Sequence, residues 1–207
     1  MEYPKINSLF KRNEKDHSFI IGDYSCPEFN SIKQWRVEEK IDGTNVRIVY
    51  DPTEESINIY GRSKDSKMPD LLSQFLKDYF TIDKLKSAFP ELKSRCILYG
   101  EGFGGYIQSA GKNYQENIGF MLFDILVDRW WLAHDTIETK ASLLQIPVPP
   151  ILGTMSEKEI IEFILSKPTS NCSKHKQIME GVVARSEPMM LFRNGKPIIW
   201  KLKVKDF

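Results

Sequence analysis

The sequence predicts an α+β domain with antiparallel sheets flanked by helices. Three observations carry this. Apolar residues alternate with period two from Trp35 to Tyr50, and apolar strand-like runs return at both ends of the remaining chain. Residues 70–79, 135–144 and 157–165 carry apolar side chains at spacings of three and four, so helices fill the middle. The 207 residues are 41% hydrophobic and 28% charged, which is a globular composition in an amount suited to one domain over residues 1–207.

The elements follow in order. Residues 1–34 mix polar and apolar positions without a clear period and read as loops and short strands. Trp35, Val37 and Glu39 alternate with Arg36, Glu38 and Lys40. Val46, Ile48 and Tyr50 alternate with Arg47 and Val49. Asp42-Gly43 between these runs reads as a tight turn, with Gly43 free to adopt φ > 0. Ile57, Ile59 and Gly61 make a third strand after Asp51-Pro52. Leu71, Leu72, Phe75, Leu76 and Tyr79 mark a helix that starts at Pro69-Asp70. Ile97 to Gly100 is a short buried strand, residues 102–113 a glycine-rich loop, and Ile118 to Val127 a long central strand. A helix from Asp135 stops at Leu144, before the Pro147–Pro150 cluster, which reads as a connector inside the domain. Ser156 caps a helix over Glu157–Leu165, with Glu159 completing a capping box. Strands near Gly181–Arg185 and Ile198–Val204 close the chain.

Several function classes are excluded early. Lys+Arg 29 against Asp+Glu 28 leaves a net charge of +1, so the surface is not uniformly basic, although a local basic groove is compatible. No apolar run approaches the ~20 residues of a membrane helix, and residues 1–15 hold no apolar core of a signal peptide. Cys26, Cys96 and Cys172 are odd in number and widely spaced, which suits reduced thiols in a cytoplasmic protein. The three histidines (His17, His134, His175) and these cysteines have no zinc spacing, and the glycines of residues 102–111 form neither a phosphate-binding P-loop nor a dinucleotide fingerprint. Trp130-Trp131-Leu132 reads as an anchor for a loop or helix, with base stacking the alternative.

Five segments place charge where a strand-rich core would have none. Lys40-Ile41-Asp42-Gly43-Thr44-Asn45 sets a lysine at a strand end with a carboxylate two residues on; it is a candidate nucleophile or a lysine guarding a sheet edge. Gly61-Arg62-Ser63 ends the third strand. Glu101 lies between glycines, where it can approach a ribose or a metal closely or be an ordinary loop carboxylate. Phe123-Asp124 puts a carboxylate inside an apolar strand, which is costly unless paired or metal-bound. Glu180-Gly181-Val182-Val183 precedes a last strand in which Lys201 and Lys203 share one face, with Trp200, Leu202 and Val204 on the other.

In order and context these segments resemble the covalent nucleotidyltransferase superfamily, and most closely the small ATP-dependent RNA ligases of phages and bacteria. Lys40 to Asn45 looks like the nucleotidyl-lysine motif, K-x-D-G-x-N. The resemblance spans roughly residues 35–205. It implies the nucleotidyltransferase fold of ligases, with ATP as cofactor and Mg²⁺ or Mn²⁺ as metal. It also implies site roles: Lys40, Lys201 and Lys203 catalytic; Glu39, Lys40, Asn45, Arg62, Glu101, Phe123, Lys201 and Lys203 nucleotide-binding; Asp42, Glu180 and Asp124 metal-binding. Phe123 resembles the aromatic residue that stacks on adenine, and Lys201 and Lys203 the pair that contacts the α-phosphate. The implied activity is transfer of AMP through Lys40 to a 5′-phosphate end, followed by attack of a 3′-hydroxyl. Relatives commonly carry a further C-terminal domain; none is expected here, neither an OB domain nor another, so a separate subunit is an expected partner for sealing.

Elementary chemistry agrees with a metal. A lysine amine is almost wholly protonated at neutral pH, and attack on phosphorus needs the free base. Neighbouring carboxylates favour the ammonium and neighbouring cations the amine, so carboxylates beside a nucleophilic lysine call for a cation with hard oxygen ligands. Residues 174–207 hold eight lysines and arginines against three carboxylates, an excess suited to a nucleic-acid backbone or to a solvated basic face. The expected partners are RNA ends, with DNA or a nicked duplex as variants and no membrane. The alternatives are a DNA ligase core, a GTP-using capping guanylyltransferase, and a non-catalytic nucleotide- or RNA-binding subunit.

Overall fold

A computed structural model describes residues 1–63, 66–108 and 111–207. The chain begins with β1 (Asn7–Ser8), β2 (Phe10–Arg12) and β3 (Phe19–Tyr24), then a short 3-10 turn. There follow β4 (Trp35–Lys40), β5 (Thr44–Asp51), β6 (Ser56–Tyr60), α1 (Asp70–Tyr79) and α2 (Ile82–Ala88). Next come β7 (Cys96–Gly104), α3 (Gly111–Tyr114), β8 (Ile118–Val127), β9 (Trp130–Trp131) and α4 (His134–Leu144). The chain closes with β10 (Ile151–Met155), α5 (Glu157–Leu165), β11 (Gly181–Ser186) and β12 (Ile199–Lys203). The class is α+β, as the periodicities predict.

The residues divide into two compact units: Met1–Tyr3 with Asp42–Pro149, and Pro4–Ile41 with Pro150–Phe207. The first is built on an antiparallel sheet of order β6-β5-β7-β8-β9. One face of that sheet presents Val46, Ile48, Tyr50, Leu98, Leu122 and Ile125 to a core completed by Leu72 and Leu76 of α1, Leu85 of α2 and Ile137 and Ala141 of α4.

The second unit holds a sheet of order β1-β12-β11-β4-β10 and a separate β2-β3 pair. Its pairs are antiparallel except β1-β12, a parallel exception to the purely antiparallel sheets expected. Trp35, Val37, Val182, Ala184, Trp200 and Leu202 form one buried face, covered by Ile160 and Ile164 of α5. Nine residues of helix are marginal alone. Burying two isoleucines, roughly 1.5–3 kcal/mol each, outweighs the ~1 kcal/mol of the Ser156–Glu159 capping box, so packing holds α5 and the cap sets where it starts.

Three expectations change. Asp42-Gly43 closes no hairpin: β4 pairs with β10 and β11, while β5 pairs with β6 and β7, so the chain leaves one unit for the other there. Nor is Gly43 among the positive-φ glycines; it is needed for space, since a Cβ would stand 2.3 Å from the Gly102 carbonyl oxygen. The strand after Arg95 runs on to Gly104 instead of stopping at Gly100, and α3 follows within the segment read as a loop. Positions 109–110 of that segment lie outside the described residues. The proline cluster holds another crossing, between Pro149 and Pro150, and a third falls between Tyr3 and Pro4. Helix α2 and strand β10 were not foreseen; α2 is announced by Thr81, whose hydroxyl accepts from the Lys84 N–H as an N-cap.

Candidate nucleotidyltransferase site

Strand alternation and register assemble a cationic cluster within the second unit. In register, Gly181 of β11 stands between Lys40 at the end of β4 and Lys203 at the end of β12. Residues side by side in adjacent strands share a face, so both lysines project from the face opposite the apolar core. Glu180, just before Gly181, reaches over that row. One carboxylate oxygen accepts from Lys40 Nζ at 2.7 Å and the other pairs with Lys203 Nζ at 2.6 Å. The three side chains are 20%, 14% and 24% exposed for Lys40, Glu180 and Lys203, so the clamp is screened from most solvent but reachable. Lys201 lies two residues along β12 on the same face, opposite Val183. Gly181 is required by close approach: a Cβ there would lie 2.1 Å from the Leu202 carbonyl oxygen.

Alternation sends Glu39 to the opposite face from Lys40, where it is 1% exposed. Its carboxylate accepts from the Ser170 hydroxyl and from the Asn171 N–H at 2.8 Å. Burial still holds this carboxyl above the ordinary glutamate range, against those hydrogen bonds. Sequence reading missed the group beside Lys40 on its own face. Glu38 is buried and takes Arg36 Nη2 at 3.1 Å on one oxygen and Arg185 Nε at 2.7 Å on the other. This carboxylate sits where a strand residue flanks two arginines in register (Arg36↔Arg185), a juxtaposition only pairing reveals.

In the first unit the remaining candidates gather on the sheet face opposite the core. Asn45 pairs in register with Glu101, Arg47 with Tyr99, and Tyr99 with Asp124. Among the described residues the buried side-chain oxygen of Asn45 has no hydrogen-bond partner, which leaves an acceptor for a ligand. Asp124 is 1% exposed in mid-strand, and its carboxylate accepts from the Tyr3 hydroxyl. The adjacent Phe123 is half-buried with its ring centroid 4.9 Å from that of Tyr3. Arg62, expected to contact nucleotide, is exposed beyond the end of β6. Arg47, which was not singled out, is buried on the candidate face, with its Nε donating to the Gly61 carbonyl at 3.1 Å. The Asp42 N–H donates to the Tyr114 hydroxyl at 3.3 Å. Of the tryptophan pair, Trp131 packs on Tyr99 at 5.6 Å as an anchor, while Trp130 is 77% exposed.

The structure thus brings Lys40, Glu180 and Lys203 into contact, and Asn45 and Glu101 into register. Among the three expected metal ligands, Glu180 belongs to the second unit and Asp42 and Asp124 to the first. Among the described residues no three His, Cys, Asp or Glu side chains gather into an all-protein metal site. No helix among them is long and apolar enough to cross a membrane.

The α+β frame that carries this clamp is the nucleotidyltransferase fold of the ligases whose solved structures it is similar to. The chain belongs to the RNA ligase family, whose model matches residues 33–203. No curated protein sequence matches it significantly. Among solved structures, Naegleria gruberi RNA ligase with PPi is similar, with TM-score 0.65 and 18% identity over 98% of this chain and 56% of that one. An archaeal ATP-dependent RNA ligase matches with TM-score 0.65 and 17% identity over 99% of this chain and 48% of that one. A variant of the Naegleria gruberi enzyme with ATP and Mn matches with TM-score 0.65 and 18% identity, over 98% and 56% of the two chains. The chain therefore spans about half the length of the ligases it is similar to.

Proposed function

We propose that the chain is a single adenylyltransferase domain that joins RNA ends at the expense of ATP through a covalent lysyl-AMP. The observation that carries this is the Lys40–Glu180–Lys203 clamp, formed by the segments in which the ligase motifs were read. In the proposed reaction the amine of Lys40 leaves Glu180, loses its proton and attacks the α-phosphorus of ATP. A P–N bond forms, the bond to the bridging oxygen breaks, and pyrophosphate departs. Lys203 and Lys201, fixed on the same face, offset charge on the α-phosphate as it reaches the transition state. AMP then passes to a 5′-phosphate, and attack by a 3′-hydroxyl forms the phosphodiester and releases AMP.

The residues fit a nucleotide. The orphaned acceptor of Asn45 and the neighbouring Glu101 suit a ribose or base edge and Phe123 supplies a stacking ring, whereas Glu39, buried on the face away from Lys40 with its oxygens taken by Ser170 and Asn171, offers no acceptor there. A Mg²⁺ or Mn²⁺ ion would be held by Glu180 and phosphate oxygens. When bound, it would neutralise phosphate charge. The ATP and Mn of the Naegleria gruberi complex support this pairing of nucleotide and divalent cation. RNA carrying a 5′-phosphate and a 3′-hydroxyl is the proposed substrate, and reduced cysteines fit a cytoplasmic setting.

The test is incubation with ATP labelled at the α-phosphate, with Mg²⁺ or Mn²⁺, beside Lys40→Ala and a GTP control. An acid-labile, alkali-stable label on the protein from ATP, absent in Lys40→Ala, is expected. A label from GTP alone would move the chain to the capping class, and no label from either would make it a binding subunit. Labelled protein is then offered 5′-phosphorylated RNA, single-stranded DNA and nicked duplex, with RNA expected to accept AMP.

A further inference from the structure

Strand β8 breaks its own alternation. Phe120 and Leu122 face the core, and so do Ile125 and Val127, so the phase slips by one residue between them. The ladder to β7 shows the same slip: Tyr99 pairs with Asp124 but Gly100 pairs with Leu122, leaving Phe123 without a partner residue. This is a β-bulge, and bulges re-aim side chains. In a regular strand Phe123 and Asp124 would point to opposite faces; here both face away from the core. Gly100 is the residue that allows it, since a Cβ there would lie 2.4 Å from the Met121 carbonyl oxygen.

One side chain reads both bulge residues. Tyr3 is buried, its hydroxyl donates to the Asp124 carboxylate, and its ring stands edge-on to Phe123 at 4.9 Å and tilted on Tyr99 at 5.0 Å. Tyr99 in turn donates its hydroxyl to the Met1 carbonyl at 2.9 Å, which ties the first residues across the sheet face. A buried carboxylate demands a donor, so the Tyr3 hydroxyl locks the conformation in which Phe123 is turned outward. Tyr3 lies outside residues 33–203 matched by the RNA ligase family.

We propose that Tyr3 is a positioning residue for nucleotide recognition: by holding Asp124 and bracing the bulge, it sets the orientation of the Phe123 ring. This rests on the reading of Phe123 as the ring that stacks on the adenine. The hydroxyl is the lever, and the ring is packing. Tyr3→Phe therefore keeps the aromatic contacts and removes the hydroxyl's hydrogen bond to Asp124.

The experiment compares wild type, Tyr3→Phe and Phe123→Ala for covalent label formed at a series of ATP concentrations, with GTP as competitor and Tm recorded for each. Tyr3→Phe is expected to raise the half-saturating ATP concentration about 10-fold, with the maximal labelling rate within about 2-fold of wild type. The preference for ATP over GTP is expected to fall with it. Phe123→Ala is expected to do the same, more severely. Unchanged ATP dependence and nucleotide preference in Tyr3→Phe, with only a lower Tm, would overturn the proposal and leave Tyr3 a packing residue. Unchanged ATP dependence in Phe123→Ala, or no label in wild type, would instead overturn the reading on which it rests, and the proposal with it.

Discussion

Replacing Gly181 by alanine tests whether the clamp depends on backbone proximity. The new Cβ would lie 2.1 Å from the Leu202 carbonyl oxygen and 2.7 Å from the Lys203 Cα, both backbone atoms that no rotamer change can move. Ordinary contact begins at 3.4 Å, so β11 and β12 must part by about 1.3 Å at this row. Lys203 Nζ now sits 2.6 Å from Glu180, and a shift of that size would carry it to the limit of an ion pair. Lys40, on the other side of Gly181, keeps its own contact with Glu180 at 2.7 Å. Overpacking of this kind costs about 1–3 kcal/mol, and a misplacement near 1 Å in a reacting group costs on the order of 100-fold in rate. Gly181→Ala is therefore expected to lose about 100-fold in the rate of label formation from ATP, with a Tm lower by roughly 2–12 °C. Gly195→Ala is the comparison: among the described residues nothing lies within 4 Å of its Cβ position, though its φ of +77° makes alanine strained. It should lower Tm without slowing the label. A Gly181→Ala protein that labels at the wild-type rate would refute the geometric role of this row.

Further expectations concern thiols, a cap and a buried acid. Burial pushes the thiols of Cys96 and Cys172 up to about 12, so at pH 8 only about one molecule in 10⁴ carries either thiolate. Mass spectrometry after brief iodoacetamide treatment should find Cys26 modified first, and rapid modification of Cys172 in folded protein would contradict this. Ser156→Ala removes the hydroxyl that accepts from the Glu159 N–H. It should cost about 1 kcal/mol in urea unfolding and leave labelling unchanged. Glu39 has a carboxyl raised by burial, so the folded chain binds its proton more tightly than the unfolded chain. Its stability contribution is full below the ordinary glutamate value of about 4.3 and lost as pH rises through the folded value. The stability of wild type relative to Glu39→Gln should therefore fall as pH is raised from 4 to 7, and a rise over that range in denaturant titrations would reverse the assigned cause.

Much of the site was legible because its signals are local. Period-two alternation in Trp200-Lys201-Leu202-Lys203 assigns lysines to one face and apolar residues to the other, and the structure has Trp200 and Leu202 fully buried. The Ser156–Glu159 box starts α5 where expected, and β8 spans the predicted Ile118–Val127. The misreadings share one cause. Asp42-Gly43 looks like a hairpin turn because turn chemistry is read from neighbours in sequence. Whether two strands pair is decided by which partners cover both edges of β4, and those partners come from residues 151–155 and 181–186. Arg47 was passed over for Arg62 because an arginine inside an alternating strand looks like its solvent face, until Tyr99 and Gly61 close around it.

The sequence by itself determined the class, the strand and helix periods, and the order of the lysine and carboxylate segments, because side-chain alternation and capping are set within a few residues. Only the tertiary structure decided that Glu180 clamps Lys40 and Lys203, that a bulge turns Phe123 and Asp124 to one face, and that Tyr3 holds them there. The Tyr3–Asp124 and Lys40–Glu180 contacts join residues 121 and 140 positions apart in the chain. Every strand offers the same backbone donors and acceptors at its edges, so register is chosen by the packing of the whole sheet and not by any short stretch of it.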